Sequence, residues 1–247
     1  MALRKSPADL KKIRTAGAIL GQALKLGRSL SVPGANLLDI DRKIHQFILD
    51  NDATPSFLGF EGFPNATCLS LNDGLVHGIP TDTTLKEGDL IGIDVGLWKD
   101  NVCVDAAITV PVATVSAEAV RLLEVTEKAL KAGIAAIKPF RRVGAISEAI
   151  QHVGDAAELG IVRVLTGHGV GHQVHEAPDV PNFGRASDGI LLQPGMVLAI
   201  EPMFTLGSGT VVTDIDGWTI RTKDGSLSAQ FEHTVIVTSR GAEVVTS

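Results

Sequence analysis

Two stretches decide the fold: Gly88-Asp-Leu-Ile-Gly-Ile-Asp94 and, 107 positions later, Gly195-Met-Val-Leu-Ala-Ile-Glu201. Each is a glycine turn followed by a short apolar run that ends on a carboxylate, the pattern of a buried strand. The match extends outward: Pro33 falls on Pro139, 106 positions on, and Ile40 and Ile44 fall on Ile146 and Ile150 at the same offset. A near-constant offset across separate landmarks implies a duplicated helix-helix-strand-strand unit, with halves at about 1–114 and 115–247. The expected fold is of the α/β class: one domain over 1–247 whose two units share a central curved sheet with helices outside.

Local signals fill in the order. Ser6-Pro7-Ala8-Asp9 combines a capping hydroxyl, a proline at the first helical position and an early acid. Ile13, Ala16, Ile19, Leu20 and Leu24 then recur at helical spacing, predicting a helix to about 26. A second helix is expected over 37–50, then strands at 67–71, 89–97 and 102–112. In the second half helices are expected over 116–137 and 143–158, and strands at 161–165, 196–204, 211–214 and 229–237.

Composition narrows the function. Of 247 residues, 45% are apolar, enough for a large core, and the net charge of −6 comes without any long basic run. A nucleic-acid or anionic-membrane surface is therefore not expected; a polypeptide or small molecule is. Cys68 and Cys103 form no Cys-x-x-Cys pair, which fits a reduced cytoplasmic setting rather than a disulfide scaffold. Neither a signal peptide nor a transmembrane span is read, and no Gly-x-Ser-x-Gly elbow or Walker loop occurs.

The chemistry lies in charged residues placed inside apolar strands. Asp94 and Asp105 flank Trp98-Lys99-Asp100-Asn101, read as a four-residue hairpin loop. That register sets the two carboxylates directly opposite, about 5 Å apart at Cβ. At an effective dielectric near 20 their repulsion is roughly 3 kcal/mol, which a divalent cation would relieve. Glu201 and Glu232 add two more carboxylates in strand contexts. The segment Gly167-His-Gly-Val-Gly-His-Gln-Val-His175-Glu brings His168, His172 and His175 together in a glycine-rich loop, and His77 stands in Val-His-Gly-Ile-Pro. Mixed carboxylate and imidazole ligands suit Mn, Fe, Co or Zn.

These motifs, in this order and spacing, resemble the metal-binding set of the type I methionine aminopeptidases, and the similarity runs over nearly the whole chain. The resemblance implies the duplicated "pita-bread" fold. It also implies that Asp94, Asp105, His168, Glu201 and Glu232 hold two divalent ions, with Asp105 and Glu232 bridging. On the same resemblance the ions would activate a water towards the scissile carbonyl, Glu201 would handle its proton, His175 would bond the carbonyl oxygen and His77 would contact the scissile amide nitrogen. Phe60, Phe63, Cys68 and Trp218 match the methionine pocket. The implied substrates are nascent polypeptide N-termini with a small second residue, met at the ribosome by a monomeric enzyme. Met1-Ala2 fits that rule, so loss of Met1 is expected.

Departures from the family pattern are Phe57 where some members have Cys, Val174 where a larger aromatic is common, Gly92 and Gly96 where Asn and Thr are usual, and Phe140 where Gly is usual. No amino-terminal zinc-binding extension or long helical insertion is read, which points to a short prokaryotic-style form. Two other readings were weighed: an Xaa-Pro aminopeptidase of the same fold, usually longer at its N-terminus, and an inactive pita-bread binding protein, which would have lost metal ligands.

Overall fold

The computed structural model describes residues 3–247; the expectation about Met1 lies outside them. The first half holds α1 (Pro7–Leu30), α2 (Leu37–Asp50), β1 (Thr54–Pro55), β2 (Cys68–Leu71), β3 (Gly74–Val76), β4 (Leu90–Lys99) and β5 (Val102–Pro111). The second holds α3 (Ala117–Ala136), α4 (Gly144–Ala156), β6 (Gly160–Ile161), β7 (Thr166–Gly169), β8 (Glu176–Pro181), β9 (Val197–Ile200) and β10 (Met203–Thr205). It ends with β11 (Val211–Thr213), β12 (Ile220–Thr222), β13 (Ser228–Gln230), β14 (His233–Val237) and β15 (Ala242–Val244).

Helix starts follow their caps. The Ser6 hydroxyl accepts from the Asp9 amide, Asn36 from Leu38 and Asp39, and Ser116 from Ala119. Helix α1 continues past 26 to Leu30 because Ala23, Leu24 and Gly27 stay buried along its inner face. It packs on β4 and β5 while α3 packs on α4, β10 and β13, so helices cover one side of the strands. Three apolar clusters result: one gathers α1, α2, β4 and β5, a second α3, α4 and strands β9, β10, β13 and β14, and a small third sets β3 against Met203 and residues of β11 and β12. Among the described residues no helix is long and apolar enough to cross a membrane.

The repeat reappears as matching hydrogen bonds. Gly88 (φ 96) donates to Val112 O and Gly195 (φ 94) to Val237 O; the amides of Val112 and Val237 return bonds to Asp89 O and Met196 O. Gly34 donates to Leu85 O while Leu85 donates to Ala35 O; Phe140 and Leu192 do the same with Arg141. Phe140 thus occupies the left-handed position that Gly34 fills in the first half, with φ 64 against 87.

The expected hairpin register is corrected. The turn is the two residues Asp100 and Asn101, at φ 51 and 64, so Lys99 faces Val102 and Asp94 faces Ala107. Asp105 stands opposite Gly96, making the two aspartates diagonal neighbours rather than a direct pair. The reason is local: Asp and Asn tolerate the left-handed conformation that a tight hairpin turn requires. The expected strand at 161–165 shrinks to Gly160–Ile161, the segment expected over 196–204 is interrupted at Glu201-Pro202, and that over 229–237 at Phe231-Glu232. The histidine-rich segment is less loop than expected, since its ends belong to β7 and β8.

Candidate metal centre

Direct opposition occurs in the second half instead. Ile200 faces His233 and Met203 faces Gln230, so the register runs unbroken through the gap and sets Glu201 across from Glu232. Pro202 has no amide hydrogen to give a ladder, and β9 ends just before Glu201. Asp94 sits mid-strand in β4 beside Cys68 of β2, and Asp105 projects from β5.

Four carboxylates therefore converge, and all four are buried. Ligand atoms of Asp94, Asp105 and Glu232 lie within 4.8 Å of one another, as do those of His168, Glu201 and Glu232. Asp105, His168 and His175 form a third such group. His168, in β7, keeps Nδ1 2.9 Å from Gly169 O, and its Nε2 lies 3.6 Å from Glu201 Oε1. Gln230 donates to Glu201 Oε2 at 3.0 Å.

Burial dominates the electrostatics. It raises Asp94 to about 7 and pushes Asp105, Glu201 and Glu232 well above the usual carboxylate range, with the neighbouring acids adding repulsion. Burial, reinforced by nearby His175, lowers His77 to about 4 and His168 to about 3, so both imidazoles are neutral at pH 7. His175 is also lowered by burial, against a smaller opposing pull from Glu61. Asp94 Oδ1, Asp105 Oδ1 and Glu232 Oε1 are buried without any hydrogen-bond partner. Buried carboxylate oxygens facing one another and lacking donors fit a cation site, and with neutral imidazole they fit a divalent transition metal.

The other expected residues line the same cavity of about 110 Å³: Phe60, Phe63, Cys68, His77, His175 and Trp218. His77 follows β3 at φ 57, a left-handed position, and the Gly78 amide donates to Ser70 Oγ, so the imidazole is placed by a pinned backbone. Phe60 and Phe63 lie on a short 3₁₀ turn, and Trp218 meets Phe63 edge-on at 5.2 Å because β12 pairs with β3 across the halves. His175 packs edge-on against both His168 (4.4 Å) and Phe60 (5.7 Å). A buried ion pair between Lys5 and Glu176 ties the chain ahead of α1 to the residue after His175.

Of the departures, Phe57 lines the cavity and Val174 lies in the first core cluster. Gly96 and Phe57 go together: a Cβ on Gly96 would come within 2.9 Å of the Phe57 ring and closer still to Ser56 Oγ. His172 stands apart, 3.4 Å from Asp9 on the surface. Sequence reasoning missed Glu61 and Gln230, which also line the cavity. Gln230 was discoverable, since the offset of 125 positions that relates Val112 to Val237 sets it on Asp105. Glu61 carries no such signal.

Residues 11–239 match metallopeptidase family M24, which implies divalent metal. The methionine aminopeptidase of Clostridium perfringens is 42% identical over 100% of this chain and 99% of its own. The crystal structure of methionine aminopeptidase from Thermotoga maritima superposes with a TM-score of 0.97 at 38% identity, covering 98% of each chain. Prolidase from Pyrococcus furiosus shares the fold, at TM-score 0.82 and 22% identity over 99% of this chain and 65% of that one. The chain belongs to metallopeptidase family M24 and, within it, to the methionine aminopeptidases.

Proposed function

We propose that this protein hydrolyses the first peptide bond of polypeptides that begin with methionine, favouring a small second residue. The observation that carries this is the convergence of four partnerless or mutually repelling buried carboxylates beside an apolar cavity that also holds two neutral imidazoles. Asp94, Asp105, His168, Glu201 and Glu232 would hold two divalent ions. Asp105, His168 and Glu232 each belong to two of the three groups, so all five residues fall within one connected ligand set. When bound, such ions acidify water at neutral pH and polarise the carbonyl.

The chain's own residues supply the rest. Phe60, Phe63, Cys68 and Trp218 enclose the methionine side chain, with sulfur against aromatic edges. His175, on the rim, donates to the carbonyl oxygen as negative charge builds there. His77 is directed at the amide nitrogen, and Glu201 moves the proton between water and leaving amine, with Gln230 orienting it. The whole chain acts as one domain with its repeat boundary near 114, as a cytoplasmic monomer working on nascent chains at the ribosome.

The test is hydrolysis of Met-Ala-Ser against Ala-Pro-Ala after chelation and re-addition of Mn²⁺, Fe²⁺, Co²⁺ or Zn²⁺. Metal-dependent cleavage of the first peptide alone is expected. Preference for the second supports the Xaa-Pro reading, and cleavage of neither by metal-loaded protein sinks both.

A further inference from the structure

Two buried threonines join the halves where the carboxylates meet. The Thr234 hydroxyl donates to Asp105 O at 2.7 Å and accepts the Asp105 amide at 3.0 Å. The Thr109 hydroxyl donates to Gln230 O at 2.8 Å and accepts the Gln230 amide at 3.0 Å. Between them the Glu232 amide donates to Ala107 O at 2.8 Å. The arrangement obeys the repeat, because the offset of 125 positions that carries Val112 to Val237 also carries Thr109 to Thr234, Ala107 to Glu232 and Asp105 to Gln230. The pseudo-two-fold axis therefore passes beside the Glu232–Ala107 bond.

Among the described residues that bond is the sole main-chain link between β5 and the β13–β14 segment. No ladder joins these strands, and the threonines take its place. A hydroxyl has one donor and two acceptor sites, so a single side chain can satisfy both backbone groups of the residue it faces. On its other side Asp105 faces Gly96 across β4. Its amide and carbonyl are both bonded by Thr234, which is itself fully buried. The backbone beneath the Asp105 carboxylate is thus fixed across the junction by one hydroxyl. The backbone beneath Gln230, whose side chain holds Glu201, is fixed by the other.

We propose that Thr234 and its counterpart Thr109 are positioning residues: their hydroxyls hold Asp105 and Gln230 in register across the junction and so set the geometry of the metal-binding carboxylates. This rests on the reading of the site as a divalent-cation site. Groups that orient metal ligands are typically worth 10- to 100-fold in metal affinity.

The experiment is calorimetric titration of chelator-stripped protein with Mn²⁺, alongside thermal melts of the same metal-free samples. Thr234→Val, which keeps the shape and removes the hydroxyl, should weaken Mn²⁺ binding by about 10- to 100-fold. Thr234→Ser, which keeps the hydroxyl and loses the methyl, should stay within about threefold of wild type. Thr109→Val should lower kcat on Met-Ala-Ser through Glu201, with KM little changed and a smaller loss of Mn²⁺ affinity than Thr234→Val. A role in stability alone would lower the melting temperature of Thr234→Val and leave its Mn²⁺ affinity intact, overturning the proposal. If Thr234→Val does not fold, Thr234→Ser decides: weakened binding would assign the effect to packing of the methyl and refute the hydroxyl's role. A wild-type protein that binds no Mn²⁺ removes the cation site itself, and the proposal with it.

Discussion

The two halves use one design and diverge where the chemistry is. In the first, β4 and β5 form an unbroken ten-residue hairpin, and Asp94 and Asp105 are diagonal on it. In the second, the matching strands are interrupted at Glu201-Pro202 and at Phe231-Glu232, and the two glutamates face each other across the interruption. Only Asp94 and Glu201 are true counterparts; Ala107 stands where the other half has Glu232, and Gln230 where it has Asp105. A continuous ladder spaces its acids along a rigid strand. A broken one takes its acids out of the β9–β14 ladder, with the Glu232 amide bonded instead to Ala107 O and the Glu201 carbonyl to Asn182, and leaves the longer glutamate side chains to reach the site. The asymmetry gives the second half an amide, Gln230, bonded to Glu201, the proposed proton carrier; Asp94 has no such amide.

The largest test of this contrast changes Glu201, which is both the proposed proton carrier and one of the five residues of the metal-binding set. Glu201→Gln should lower kcat on Met-Ala-Ser by about 10²–10⁴-fold, the usual worth of general acid–base catalysis. If the loss stays under tenfold, the division of labour between the halves fails.

A second test reads Asp94 by its pH dependence in chelator. Burial raises this carboxyl from 3.8 to about 7, so between those values the folded chain keeps a proton that the unfolded chain releases. Its contribution to stability is complete below 3.8 and is lost as pH rises towards about 7. Asp94→Asn should remove a slope of at most about 1.4 kcal/mol per pH unit from denaturant midpoints across that window. Unchanged slopes would mean that Asp94 is not the group being read.

The smallest test exchanges the left-handed residues. Phe140 is 72% exposed and so gains little from packing, yet it holds a φ of 64. Phe140→Gly should stabilise the protein by about 1 kcal/mol, and Gly34→Ala should destabilise it by a similar amount, with activity unaffected by either. Equal melts for all three proteins would show that the left-handed backbone costs a side chain nothing at either position.

How much was legible varied with the physics of each signal. The start of α1 was, because a capping side chain acts within three residues of the backbone it satisfies, as the Ser6 hydroxyl does with the Asp9 amide. The duplication was, because turn glycines and apolar runs repeat at one offset. The hairpin register was not: Asp100 and Asn101 alone make the turn rather than the four residues 98–101, so Trp98 and Lys99 join β4 and the two-residue shift along that strand moves Asp105 from Asp94 to Gly96. Strands of two or three residues, such as β1, β3 and β12, carry no period to read. The acids stood out because charge inside an apolar strand needs a partner. Gln230 and Glu61 did not, being ordinary polar residues until the fold brings them to the cavity.

The exchange of volume between Gly96 and Phe57 bears on inhibitor selectivity. A cysteine at position 57 would give an electrophilic compound a thiol to anchor on. Here that anchor is a phenyl ring seated against a glycine. The thiol left in the cavity is Cys68, buried and with its ionisation pushed well up, chiefly by desolvation. A covalent ligand aimed at a thiol in position 57 should spare this protein, and a side chain added at 96 would have to come with a smaller residue at 57.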